Sequence, residues 1–357
     1  MRKYPKNISL LKLCLIIRLL CGNYCKITSS SILNSFIKLY CVFVLLITSL
    51  CIFGSSDEKI LIIPHICAFA EFSFNVLFNM VYGDSYYQKY CNVMMSNDVV
   101  MWKKKILLLP NRVLMRIFIF LVARTMFIVF QIVKYGSKTT IFLLLSVDTI
   151  LISCDFNYLT VYVIVTSIYY RIMLLKRCVE RIIVPINIVG RNECANSISA
   201  TREVLLHYKL VLDNLQSIGK FLYVLLLKSL MFGLVRTVLY MYRIASNYAH
   251  KVDKFILIFD LGEMIYNIAV ISVTAFICDM TANSVNNMKS MINKQHMQCS
   301  DESLRHELET TLEYVKRRQF PFNIRSFTTM DMSLPIRILT TSITYTIVVI
   351  QFVNFKL

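Results

Sequence analysis

The chain has 357 residues, of which 57% are hydrophobic and 17% are charged. A soluble domain of this length cannot bury that much apolar surface, so the composition predicts a membrane protein. The net charge of +18 does not indicate a nucleic-acid partner, because the Lys and Arg residues lie between hydrophobic runs rather than along one basic face.

Residues 1–31 precede the first long apolar run. Lys12 and Arg18 interrupt their apolar residues, and no small-residue cleavage site follows. These features are atypical of a signal peptide. They favour a cytosolic amphipathic segment that lies on the inner membrane face.

Seven apolar runs predict seven transmembrane helices, because about 20 apolar residues cross a hydrocarbon core of ~30 Å. Six of them fall within residues 32–280. A cytosolic loop with a helix is predicted for 281–327, and the last span falls within 328–357. The predicted spans are Ile32–Gly54, Ile60–Tyr82, Val113–Val133, Leu151–Leu174, Phe221–Tyr242, Phe255–Met280 and about Ile338–Phe355.

The fourth span is chosen from a long run, Thr140–Leu175, that is too long for one simple span and short for two. If the run crosses once and the N-terminus is cytosolic, 28 basic residues lie inside and seven outside. Two crossings would destroy this bias, which normally sets membrane orientation. We therefore predict one span, with Thr140–Ile150 as an outer helical or re-entrant piece and the C-terminus outside.

Two helical extensions are predicted on the cytosolic side. One carries apolar residues at helical spacing just before the fifth span, namely Val204, Leu205, Tyr208, Leu212 and Leu215. The other begins near Asp301, ends at Lys316-Arg317-Arg318, and carries the stripe Leu304, Leu308, Leu312 and Val315. The stripes fit two structures: simple extensions of the spans, or a packed cytosolic bundle that also joins subunits. We favour the packed bundle.

The cysteines and histidines give no sign of catalysis or metal binding. None of the twelve cysteines and five histidines follows a metal-ligand spacing, and no nucleophile–base arrangement stands out. Buried cysteines behave as small hydrophobes. We expect no enzyme activity, no metal and no cofactor.

The last span contains a recognisable motif. Thr344 and Tyr345 are followed by five mostly hydrophobic residues and then by Gln351 and Phe352. This pattern resembles the signature of insect gustatory receptors, within the seven-transmembrane insect chemoreceptor superfamily. Residues 327–334 and the predicted inverted topology resemble the same family.

The resemblance implies a taste receptor that is a ligand-gated, non-selective cation channel. It further implies a homotetramer, or a heterotetramer with related receptor subunits, in the plasma membrane of gustatory sensory neurons. A small-molecule tastant would bind in a pocket that is open to the outside. The last helix, within 328–357, would line a central pore.

Helical spacing places Thr344, Ile347 or Val348, Gln351 and Phe355 on one face of the last helix. Four copies would form a closing ring at Ile347 or Val348 and an uncharged amide ring at Gln351. Such a pore would discriminate weakly among monovalent cations. Thr344, Tyr345 and Gln351 could instead hydrogen-bond between helices, and for Thr344 and Tyr345 that role is favoured.

Ionisable and polar residues inside the spans mark a candidate ligand site, because such groups are costly in lipid. Those predicted in the outer half are Gln131, Asp155, Tyr158, Arg236, Tyr240, Asp260, Glu263 and Tyr266. Arg124 and Glu71 are predicted nearer the middle. The alternative is a set of structural ion pairs, such as Arg236 with Asp260 or Glu263, and both roles can hold at once.

Other classes of membrane protein fit less well. A G-protein-coupled receptor would place its N-terminus outside, and a transporter would show paired repeats, which we do not find. Two alternatives stay open: an insect odorant receptor subunit of the same superfamily, and a non-channel seven-helix receptor. The Gln351-Phe352 ending favours the gustatory branch.

Overall fold

The computed structural model describes residues 6–26, 30–54, 59–82, 90, 111–135, 138–182, 184, 191–249, 254–318, 323–324, 328–329 and 331–354. These residues form nine helices and one antiparallel pair of two-residue strands, so the predicted all-α class is confirmed. The helices are α1 (Lys6–Leu20), α2 (Ser31–Gly54), α3 (Lys59–Tyr82), α4 (Asn111–Tyr135), α5 (Lys138–Glu180), α6 (Arg191–Ala249), α7 (Lys254–Gln298), α8 (Glu302–Arg317) and α9 (Leu334–Asn354). The strands are β1 (Asn323–Ile324) and β2 (Thr328–Thr329), with Asn323 opposite Thr329.

Five of the described helices contain a stretch that is long and apolar enough to cross a membrane. The stretches are Ser31–Phe53, Leu145–Glu180, Phe221–Ala249, Lys254–Gln298 and Leu334–Gln351. The helices α3 and α4, with 24 and 25 residues, also have the length of a span. Together these seven helices correspond to the seven predicted spans, whose orientation stays a prediction.

Three helices are much longer than a bilayer is thick. The helices α5, α6 and α7 have 43, 59 and 45 residues, which at 1.5 Å per residue is roughly 65, 88 and 68 Å. A hydrocarbon core of ~30 Å leaves a large part of each helix outside the membrane. Residues 140–150 continue α5 as regular helix, so the helical alternative for this piece is correct and the re-entrant alternative is wrong.

The extensions of α6 and α7 pack with α8 into a small helical bundle. At the N-terminus of α8, the Asp301 carboxylate accepts a hydrogen bond from the Leu304 N–H at 2.8 Å, as the sequence predicted. The Tyr208 hydroxyl donates to the Arg318 carbonyl at 3.1 Å. Both predicted apolar stripes lie in the core of this bundle, with their buried members Val204, Tyr208, Leu212, Leu215, Leu304, Leu308, Leu312 and Val315.

Charged residues surround this bundle. The Arg202 guanidinium donates to the Glu307 carboxylate at 2.5 and 2.9 Å, which lowers the pKa of that carboxyl below its ordinary value. Arg318 donates to Asp213 at 2.7 Å. The packed form of the extensions is thus confirmed within one chain, while their role in joining subunits stays a prediction.

The helix α1 packs against α5 instead of lying apart from the other helices. Arg18 is buried, and the Asn23 amide donates to the Ser153 hydroxyl in α5. Gly22 closes the turn after α1 with φ of +83° and sits against Val44, near the middle of α2. The C-terminal end of α1 therefore enters the helix bundle, unlike the predicted surface segment, whereas the cytosolic position of residues 1–31 stays a prediction.

The helices α6 and α7 approach each other closely around Gly233. The Gly233 carbonyl accepts a hydrogen bond from the Asn267 amide at 2.9 Å. A Cβ on Gly233 would lie 2.1 Å from Cδ1 and 3.4 Å from Cγ1 of Ile271, a side chain that is 4% exposed. Any side chain at this position therefore forces the buried Ile271 side chain to shift.

We expect Gly233→Val to destabilise the protein by about 1–3 kcal/mol, because its methyl groups overpack the contact with Ile271. The melting midpoint of the detergent-purified protein measures this change. Gly219→Val in the same helix is the matched control, since nothing lies within 4 Å of the position of its Cβ. Equal melting midpoints for the two variants would contradict the close approach.

Candidate functional site: a buried charged cavity and an exposed helix face

Six of the eight predicted ligand-binding residues line one buried cavity between α4, α5, α6 and α7. The cavity has a volume of about 10 Å³, roughly the space of one water molecule. It is lined by Arg124, Asp155, Tyr158, Arg236, Tyr240, Glu263, Tyr266, Asn267 and Val270. The sequence prediction thus grouped residues that the fold brings together.

A second, more apolar cavity lies beside the first. Its volume is about 20 Å³, and its wall shares Asp155, Tyr158, Tyr266 and Val270 with the charged cavity. The remaining lining residues are Phe120, Leu159, Tyr162, Val273 and Thr274. Ligand pockets usually have volumes of about 300–1,000 Å³, so both cavities are far smaller than such a pocket.

Arg124 in α4 is the centre of the first charged cluster. Its Nε lies 2.6 Å from the Asp155 carboxylate in α5, and its Nη1 lies 2.8 Å from the Glu263 carboxylate in α7. The guanidinium also lies 4.4 Å from the Tyr266 ring centre, and the Tyr266 hydroxyl donates to Asp155 at 3.1 Å. One arginine therefore joins three helices and leaves one carboxylate charge in excess when all groups are ionised.

Glu71 in α3 is the centre of a second cluster, whose net charge has the opposite sign. Its carboxylate lies 2.9 Å from Arg236 Nη2 and 3.4 Å from Lys228 Nζ, both in α6. Arg236 Nη2 also donates to the Tyr158 hydroxyl at 2.9 Å, and Lys228 donates to Asn75 at 2.5 Å. Two cations share one carboxylate here, so this cluster carries a net positive charge when all groups are ionised. Tyr158 and Arg236 also line the charged cavity beside the negative cluster.

The structure corrects the predicted partners of Arg236. Arg236 pairs with Glu71, whereas Asp260 pairs with Arg243 at 2.8 Å and accepts from Asn247 at 3.2 Å. The cause is the antiparallel register of α6 and α7, since Arg243 is level with Asp260. Asp260 belongs to this third pair and is not in the wall of either cavity.

The predicted ligand-binding set left out several residues of the site. Arg124 and Glu71 were visible as ionisable residues inside spans, but their central positions depend on helix packing. Val270 and Phe120 lie in apolar helices and give no sequence signal. Gln131 lies in α4, but its side chain lies outside the described part of the structure.

The pore face predicted on α9 is exposed in the single chain. Leu334, Ile338, Ser342 and Thr346 are buried on the side where α9 packs on α6 and α7. The opposite face is exposed, with Thr344, Ile347, Val348 and Gln351. The Thr344 hydroxyl donates to the Thr340 carbonyl of its own helix at 3.1 Å, and Tyr345 is 55% exposed. Phe355 and the Phe352 side chain lie outside the described residues.

Membrane-length helices around a buried polar cavity define a polytopic membrane protein. A family model described as 7tm chemosensory receptor matches residues 86–354, which is more than half of the chain. The chain therefore belongs to the 7tm chemosensory receptor family, a family of receptors rather than enzymes, and the predicted insect chemoreceptor superfamily is confirmed.

A solved structure supports the same fold. The chain is similar to the insect olfactory receptor OR5 from Machilis hrabei, determined in complex with eugenol, with a TM-score of 0.52. The two share 11% sequence identity, and the match covers 96% of this chain and 98% of the receptor. No curated protein matches the chain in a sequence search. At this identity the likeness concerns the fold alone.

We expect Arg124→Gln to destabilise the protein by about 3–5 kcal/mol, because Asp155 and Glu263 then remain buried without their cation. The melting midpoint of the detergent-purified protein measures this loss. Adding Asp155→Asn and Glu263→Gln removes the uncompensated charges and should restore much of the stability.

Arg317→Gln in α8 is the control for loss of a cation, since Arg317 and its partner Glu313 are 78% and 59% exposed. Exposed pairs contribute at most about 1 kcal/mol. The stabilising role of Arg124 would be refuted if both single variants melted at the same temperature.

Proposed function

We propose that the chain is a gustatory receptor, a ligand-gated and non-selective cation channel of the plasma membrane of gustatory sensory neurons. The convergence of six predicted polar and aromatic residues on one buried cavity carries this proposal. The family supports a chemosensory role. The motif from Thr344 to Phe352 favours taste over smell, and a ligand screen with both water-soluble tastants and volatile odorants separates the two.

The proposed ligand is a small molecule with aromatic and polar groups, such as a tastant. Tyr158, Tyr240 and Tyr266 offer aromatic faces, while the ion pairs occupy the strongest charges of the wall. A small ligand fills several hundred Å³, so binding has to widen the cavities. The backbone of α4 packs on α5, and α4 reaches α7 through long side chains such as Arg124. A shift of α4 relative to α7 is therefore the proposed way of opening.

The proposed pore is formed by α9 from four copies, either identical or with related receptor subunits. Its exposed face carries Ile347, which is 51% exposed, and Val348, which is 38% exposed. An apolar ring at these positions would close the pore by excluding water. The ring of Gln351 amides would be polar and uncharged. In this proposal the N-terminus is cytosolic and the C-terminus is extracellular.

We expect Val270→Phe to raise the half-maximal ligand concentration at least tenfold, which corresponds to about 1.4 kcal/mol of binding free energy. Val270 lines both cavities without taking part in an ion pair. A larger side chain here therefore fills the site and leaves the ion pairs unchanged. The readout is ligand-evoked whole-cell current, with surface expression measured in parallel.

Val235→Phe is the matched control, because Val235 in α6 is 47% exposed and lines neither cavity. It should respond like the wild type. If Val270→Phe kept the wild-type ligand sensitivity, the cavity would not be the binding site.

We expect the reversal potential to change little when sodium replaces potassium, because Gln351 contributes no charge to the pore. Gln351→Glu would add a carboxylate ring and should raise the permeability to divalent cations. Gln351→Asn keeps an uncharged amide and should behave like the wild type. Strong sodium–potassium selectivity of the wild type, or unchanged permeation in Gln351→Glu, would exclude the proposed filter.

A further inference from the structure

A surface groove lies between α4 and α7, beside the two cavities. Its volume is about 360 Å³, and it is lined by Arg116, Ile119, Phe120, Ser272, Val273 and Phe276. Of the three spaces, the groove alone reaches the volume of about 300–1,000 Å³ that small-molecule sites have. A ligand could occupy it without any rearrangement of the described residues.

The groove is separated from the binding region by very little protein. Phe120 and Val273 line both the groove and the second cavity. That cavity shares four lining residues with the charged cavity around Arg124. The three spaces therefore form a series that leads from the surface to the centre of the bundle, and Phe120 lies at its first boundary.

Phe120 is suited to open this boundary. Its side chain is only partly buried and meets the Tyr266 ring edge-on, with 5.9 Å between the ring centres. It takes part in no ion pair, so its ring can rotate without breaking the charged clusters.

In the predicted orientation the groove faces the bilayer. Arg116 is five residues from the start of α4, about 8 Å along the helix, whereas Phe276 is about 33 Å from the start of α7. With the predicted orientation, both positions fall in the inner half of the membrane. Ile119 and Phe276 are 55% and 37% exposed, and such apolar side chains at this depth contact lipid tails.

We propose that the groove between α4 and α7 is a lateral entrance, through which an uncharged, lipid-soluble small molecule passes from the inner half of the bilayer, past Phe120, into the binding cavity. This proposal rests on the proposed function, because it assigns a route and a chemical class to the ligand of that site. The mostly apolar walls favour an uncharged molecule, because they offer a charge no partner apart from Arg116 at the inner rim.

The test uses photolabelling of the full-length protein in liposomes and requires no channel activity. One probe is an uncharged phenyl diazirine dissolved in the bilayer, and the other is a quaternary-ammonium phenyl diazirine added to the water. Mass spectrometry locates the labelled residues. We expect the uncharged probe to label Ile119 and Phe276 in the groove and Val270 and Thr274 in the cavities, and the charged probe to label none of them.

Phe120→Ala should raise labelling of Val270 and Thr274 by the uncharged probe at least threefold after brief exposure, with groove labelling unchanged. Phe118→Ala is the matched control, because Phe118 in α4 is 66% exposed and lines none of the three spaces. Val273→Ala shortens the other side chain at the boundary and should act like Phe120→Ala. The second variant keeps the test valid if the first one folds poorly.

Three outcomes would overturn the entrance: cavity labelling by the charged probe at least as strong as by the uncharged one, equal labelling in Phe120→Ala and Phe118→Ala, or an unlabelled groove. The result is independent of the proposed function. If the chain labels as expected but never conducts, the entrance is supported and the proposed channel is refuted. If the chain conducts but its cavities are not labelled, the channel is supported and the entrance is refuted.

Discussion

The ion pair between Arg124 and two carboxylates, Asp155 and Glu263, is the interaction on which the arrangement of the membrane helices depends. An unpaired charge in an apolar interior is strongly destabilising, so these three side chains have to meet. Lipid is as apolar as the helix surfaces, and apolar contact alone gives little reason for one helix register over another. The Arg124 cluster fixes α4, α5 and α7 relative to one another, and the Glu71 cluster does the same for α3 and α6.

The same interaction limits what a ligand can do. A molecule that enters the cavity lies against groups whose charges are already paired, so it gains most from the aromatic walls formed by Tyr158 and Tyr266. Widening the cavity moves the helices that the pairs hold. The helices α6 and α7 pack directly on α9, so in the proposed channel this contact would carry the effect of ligand binding to the pore helix.

The sequence was most informative where one physical rule acts on a whole segment. Apolar length identified the spans, and the cap at Asp301 with its basic C-terminal turn identified α8 almost to the residue. The cost of charge in lipid selected residues such as Asp155 and Glu263, which lie together in the fold. These rules do not predict the type of neuron, the number of subunits or the roles of the selected residues.

The errors occurred where three-dimensional packing decides. The partner of Arg236 depends on the register between α6 and α7 and on the position of α3, which no local pattern encodes. The position of α1 depends on buried contacts such as Asn23 with Ser153. Apolar lining residues such as Val270 and Phe120 are indistinguishable in sequence from their neighbours on the same helices.

A ligand-gated pore requires α9 from several copies to surround one axis, because the exposed face around Val348 and Gln351 lines nothing in a single chain. Subunit counting by single-molecule photobleaching of the tagged protein in a cell membrane tests this requirement and needs no ligand. A closed symmetric ring of four copies predicts mostly four bleaching steps after correction for dark tags. Mostly one or two steps would contradict a self-assembled pore and would indicate an obligate partner subunit or a receptor that is not a channel.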